Sequence, residues 1–178
     1  MPSTSKRKKT EQMSLKFVRN ILAFVILLLV QSLVLNHIHL FDCATPLLYV
    51  SFVLPTPRDQ QRWATLVWCF ALGLAVDMFS NTPGVAAASM TLVGLLQPYL
   101  LALFLPRDCP DDLVPSFATL GTAKYVAYAS VIIVVYCLAF FTIEAFNFYH
   151  WLQWLQCVCG CAVLTVLLTL VIENLRKR

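Results

Sequence analysis

The chain has 178 residues, 60% of them apolar and 12% charged, against roughly 45 to 50% and about 25% in soluble domains. A water-soluble globule of this length would expose runs such as Phe70 to Val76, because it lacks the polar side chains to cover them, so the composition points to a bilayer as solvent. The net charge of +4 does not indicate a nucleic-acid binder, since basic and aromatic residues do not interleave on a soluble surface.

Each helical crossing of a hydrocarbon core about 30 Å thick takes about 20 residues, which leaves room for five or six spans and no separate soluble domain. The basic run Lys6-Arg7-Lys8-Lys9 precedes the first apolar run, 17–35. This is the pattern of a cytoplasmic terminus followed by a membrane anchor. A cleavable signal would need a small-x-small site after the run; Asn36-His37-Ile38-His39 does not supply one, nor is Leu40-Phe41-Asp42-Cys43 a lipoprotein site. The next apolar runs fall at 44–56, 63–79, 85–104, 125–143 and 154–172. The run at 44–56 is short and bracketed by Pro46 and Pro55, enough for only about 20 Å of helix.

Charge arbitrates. If all six runs cross and the N-terminus is inside, all 13 Lys and Arg fall on the inner side; if 44–56 does not cross, six lie inside and seven outside, against the positive-inside bias. The predicted fold class is therefore all-α, a polytopic membrane protein with six transmembrane helices. Its predicted organisation is a basic cytoplasmic segment (1–16), a single transmembrane domain (17–173) and a basic cytoplasmic tail (174–178). Both termini are placed in the cytoplasm and the chain in a bacterial inner membrane. The outer side holds 36–44, a tight turn at 80–84 and the segment 144–153, where Phe146, Phe148, Tyr149, Trp151 and Trp154 have the composition of an interfacial belt. The inner loop 105–124 carries Arg107, Asp108, Asp111 and Asp112 among three prolines, which predicts an irregular surface segment.

The stretch richest in chemistry runs from Gly73 through Asp77 to Pro83-Gly84. Gly73 and Asp77 are four residues apart and share a helix face; the glycine admits another backbone, and the carboxylate points into the same contact. Thr82-Pro83-Gly84 suits a type II turn. A carboxylate in a span must face protein rather than lipid, so three roles stand for Asp77: helix packing, partner binding, or an ion path. The last would ask for more ionisable groups at membrane depth. Gln97-Pro98 predicts a kink with a freed carbonyl in the fourth span, while Gln31 and Glu144 are polar groups in or near spans.

Other chemistries find less support. Cys157, Cys159 and Cys161 do not share one helix face, and His37-x-His39 has no further ligands nearby in sequence, so no metal is expected. Of seven cysteines, only Cys43 and Cys157 are placed to reach an oxidising side, where a disulfide can form. No hydrolase signature or phosphate-cradling loop occurs, and no catalytic residue or cofactor is expected.

The run Gly73-x-x-x-Asp77-x-Phe79-Ser80-Asn81-Thr82-Pro83-Gly84, followed by Ala86-Ala87-Ala88 and Gln97-Pro98, resembles the core signature of the MreD family of rod shape-determining membrane proteins. Leu35-Asn36-x-Ile38-x-Leu40-Phe41, Leu105-Pro106-Arg107-Asp108, Leu120-Gly121-x-x-Lys124-Tyr125 and Phe141-x-x-Glu144-Ala145-Phe146 resemble its flanking stretches, so the likeness covers residues 17–173. Relatives often carry Arg where this chain has Gln97. The resemblance implies a non-catalytic subunit of the cell-wall elongation complex that binds MreC and, through it, RodA and a class B penicillin-binding transpeptidase. It also implies a six-helix fold similar to the substrate-binding subunits of energy-coupling-factor transporters. On this reading Gly73, Asp77, Pro83, Gly84, Ala86, Ala87, Ala88, Ser89, Gln97, Pro98 and Glu144 are the candidate helix-packing or partner-binding residues, and membrane lipid surrounds them. The alternative is a solute-binding subunit of a transporter, which would need an outward pocket around 144–154.

Overall fold

The computed structural model describes residues 18, 20–32, 46–57, 60–105, 114–144 and 151–177. Its elements in chain order are α1 (Asn20–Ser32), a 3-10 helix (Leu48–Phe52), α2 (Arg62–Ser80), α3 (Val85–Phe104), the single turn α4 (Phe117–Leu120), α5 (Thr122–Glu144) and α6 (Trp151–Lys177). Among the described residues there is no strand. The protein is an all-α membrane protein, with four helices, Arg62–Ser80, Val85–Phe104, Thr122–Glu144 and Trp154–Leu175, long and apolar enough to cross a bilayer. The described part of the first apolar run forms a shorter apolar helix.

α2 and α3 form an antiparallel hairpin, α5 packs against α3 and α6, and the 3-10 helix lies against α6. The core is built from the inward faces of these helices: Cys69, Leu72 and Val76 of α2, Met90 and Val93 of α3, and Tyr128, Ile132 and Tyr136 of α5. Their spacings of three and four residues are those of one helix face. The opposite face of α2 carries Trp63, Val67, Phe70, Leu74 and Met78 at the same spacings, all exposed. In water such a stripe would be a liability; in lipid it meets a matching solvent. One end of the bundle, where α1, α2 and α5 start and α3 and α6 finish, carries Arg62, Lys124, Arg176 and Lys177 in sequence; we call it the basic end.

The second apolar run does not form the helix expected of it. Between residues 46 and 57 the backbone makes i to i+3 bonds, Val50 N–H to the Leu47 carbonyl (3.3 Å), Val53 to Val50 (3.1 Å) and Thr56 to Val53 (3.3 Å). Its five-residue 3-10 helix rises only about 10 Å, a third of the hydrocarbon core. Proline is the local cause, because Pro55 has no N–H for a helical ladder. The segment still carries the chain toward the basic end. It starts beside Gln31, at the far end of α1, and leaves beside Gln97, in the second half of α3. Leu47, Leu48, Tyr49, Val50, Val53 and Leu54 are all buried. Irregular backbone at membrane depth is tolerated where it is buried in protein or lines a cavity, and these six residues meet the first condition.

Candidate functional site

Two constellations gather the polar groups of the bundle. The first is the α2–α3 hairpin. Gly73 lies where the two helices cross, and a Cβ there would sit 2.5 Å from the Ala87 Cα and 2.7 Å from the Ala86 carbonyl oxygen. Both neighbours are backbone, so nothing longer than hydrogen fits. Two turns on, α2 ends in a left-handed Asn81 (φ 56°), whose N–H bonds the Asp77 carbonyl. Gly84, with φ 86° and ψ −9°, has the dihedrals of the third position of a type II turn, and the Val85 N–H closes the turn on the Thr82 carbonyl at 3.4 Å.

α3 thus begins behind a glycine with no side chain to cap it, and Asp77 supplies the missing cap from the preceding helix. Its Oδ1 accepts the Ala86 N–H at 2.9 Å and the Thr82 hydroxyl at 3.1 Å, while its Oδ2 accepts the Ala87 N–H at 2.9 Å. These amides are among those that the first turn of a helix leaves without an internal partner. The negative charge also faces the positive end of the α3 dipole. Asp77 is only 4% exposed, and this is how a carboxylate is accommodated at that depth: its oxygens are occupied by donors of its own hairpin.

The second constellation surrounds the irregular segment. Gln31 of α1 spans it, Nε2 donating to the Pro46 carbonyl (3.2 Å) and Oε1 accepting the Leu48 N–H (3.1 Å). The Thr165 hydroxyl of α6 accepts the Leu47 N–H at 3.0 Å. At the other end, Gln97 Nε2 donates to the Thr56 carbonyl and to the Tyr128 hydroxyl, each at 3.1 Å. The Tyr49 and Tyr136 hydroxyls bond each other, their rings edge-to-face at 5.6 Å. Side chains of α1, α3 and α6 therefore provide backbone partners that a regular helix would have found within itself.

The structure brings Gly73, Asp77, Gly84, Ala86 and Ala87 together and leaves the other candidates apart. Ala88 and Pro83 are exposed, and Ser89 is buried with its hydroxyl bonded to the Val85 carbonyl of its own helix (2.8 Å). Gln97 lies about 16 Å along α3 from Ala86 and belongs to the second constellation, with Pro98 inside the helix beside it. Glu144 is exposed at the end of α5. Sequence reasoning missed Thr165, Tyr49, Tyr128 and Tyr136. A signal was available in Tyr125, Tyr128 and Tyr136, three residues with a polar tip at helical spacing in an otherwise apolar span.

Among the described residues no three His, Cys, Asp or Glu side chains converge on one point. Cys157 is disulfide-bonded, whereas Cys159, which is exposed, and Cys161, which is buried, carry no disulfide. The expectations placed on His37, His39, Cys43, the acidic residues at 108–112 and the aromatics at 146–149 lie outside the described residues, as do the side chain of Trp151 and the termini 1–17 and 178. Comparison with protein families, with curated proteins and with solved structures found no match.

Proposed function

We propose that the chain is a non-catalytic integral membrane subunit of a cell-wall elongation complex, of the MreD kind, holding a single-span partner of the MreC kind within the bilayer. The observation that carries the reading is the order and spacing of Gly73, Asp77, Pro83-Gly84, Ala86-Ala87-Ala88 and Gln97-Pro98. The hairpin geometry supports it, since Gly73, Asp77, Gly84, Ala86 and Ala87 each take part in fixing one helix against the next. A rigid pair of helices with short connections suits a scaffold better than a catalyst. In this reading the polypeptide passes the inner membrane six times, the irregular segment making the second passage, with the basic end and both termini in the cytoplasm. RodA and a class B penicillin-binding transpeptidase join through MreC, and the bundle is arranged like the substrate-binding subunits of energy-coupling-factor transporters.

Because Gly73 and Asp77 are enclosed in the hairpin, they set its shape, and the partner helix meets the exposed side of α2 around Leu74 and Met78. Close packing without a hydrophobic driving force makes such a contact sensitive to added bulk. The test is co-purification of MreC from membranes. Leu74→Trp with Met78→Trp is expected to reduce capture at least tenfold while the melting temperature holds. Undiminished capture would move the docking surface elsewhere, and no capture by the unaltered chain would end the MreD reading.

A further inference from the structure

A cleft of about 350 Å³ opens at the basic end between α1, the exit of the irregular segment, α2 and α6. Its size falls within the range of small-molecule sites, about 300 to 1,000 Å³. The part of the irregular segment that follows its 3-10 helix, including Pro55 and Pro57, lines the cleft. α1 meets α2 across it through the edge of Phe24 on Trp68, ring centroids 5.9 Å apart. Its walls are of two kinds, with Ile26, Leu27 and Leu54 apolar and Asn20, Gln60 and Glu173 polar toward the basic end.

Between them lies Thr169, which lines the cleft, is 3% exposed, and has a hydroxyl with no hydrogen-bond partner among the described residues. Its neighbour one turn away, Thr165, has its hydroxyl engaged by the irregular segment. A buried hydroxyl without a partner costs free energy unless something bonds to it. We propose that this cleft is a binding site for a single-chain amphiphile with a hydroxyl or amine head group, the alkyl body lying along Ile26, Leu27 and Leu54 and the head bonded to Thr169. Glu173 also lines the cleft, one turn beyond Thr169, so a hydroxyl or amine head can donate to its carboxylate where a carboxylate head would meet like charge at short range. The inference does not rest on the function proposed above and survives if that reading fails.

Trp68 lines the cleft and reports on it. In the full-length chain purified in a nonionic detergent, Trp63, Trp151 and Trp154 are changed to Phe so that Trp68 is the only emitter. A bromoalkyl alcohol is then titrated against the bromoalkanoate of equal length at pH 8. The expected result is saturable quenching by the alcohol at a midpoint at least threefold below that of the carboxylate. Thr169→Val raises the alcohol midpoint at least threefold while leaving the melting temperature of the protein alone unchanged or higher, because the hydroxyl it removes had no partner. Quenching that grows linearly without saturating, or equally for both heads, overturns the proposal. So does an unchanged midpoint in Thr169→Val, or a fall in its melting temperature, which would mean that the hydroxyl is already satisfied within the protein.

Discussion

At the scale of single residues, the hairpin places two different demands on neighbouring positions of α2. Gly73 is a demand on volume, set by backbone atoms that cannot turn aside. Replacement by alanine is expected to cost about 1 to 3 kcal/mol, the range for overpacking a fixed site, read as a lower midpoint of unfolding in mixed micelles. Asp77 is a demand on chemistry. Asp77→Ala strands two amides and a hydroxyl and is expected to cost about 2 to 3 kcal/mol, at the upper end for a lost cap. Asp77→Asn keeps one acceptor oxygen and should lose about half as much in the same assay. If Asn and Ala prove equivalent, the charge on the carboxylate rather than its reach is the stabilising element. Spacing alone revealed that Gly73 and Asp77 share a face. That the carboxylate caps α3 was not legible, because spacing gives the start of α3 behind Gly84 but not how closely the turn folds its first amides back onto Asp77.

At the scale of elements, α2 and α3 were readable to within a residue, since each has a continuous apolar run and the Pro83-Gly84 pair punctuates between them. The segment 46–57 was not, for a physical reason. Periodicity reports which residues are apolar, and a largely buried irregular stretch is as apolar as a buried helix. What distinguishes the two is the origin of the backbone partners, and here they come from Gln31 and from Thr165, more than a hundred positions away. Gln31→Leu is expected to orphan the Pro46 carbonyl and the Leu48 N–H together, at about 2 kcal/mol or more. Hydrogen exchange at Leu48 and its neighbours should quicken while α5 stays protected. Equal acceleration throughout the bundle would mean that the segment is not an independent weak point.

At the scale of the whole molecule, the arrangement of charge survives the loss of a regular second helix. The irregular segment still travels from the level of Gln31 to that of Gln97, so Arg62 is delivered to the same end as Lys124, Arg176 and Lys177. Reporter fusions are expected to place residue 60, residue 121 and both termini on one side of the membrane, with the 80–84 turn on the other. A periplasmic signal from residue 60 would break the correlation between cation and side on which the orientation is based.

The borrowed hydrogen bonds also impose an order on biogenesis. A stretch that cannot satisfy its own main chain is a poor candidate for release into lipid when it emerges from the ribosome, and its counterparts Tyr136 and Thr165 are translated long afterwards. Assembly must therefore finish from the C-terminus backward, with α6 closing over a part of the chain made nearly a hundred and twenty residues earlier. Nascent chains halted before Thr165 would keep 46–57 open to proteolysis however well the α2–α3 hairpin had already formed.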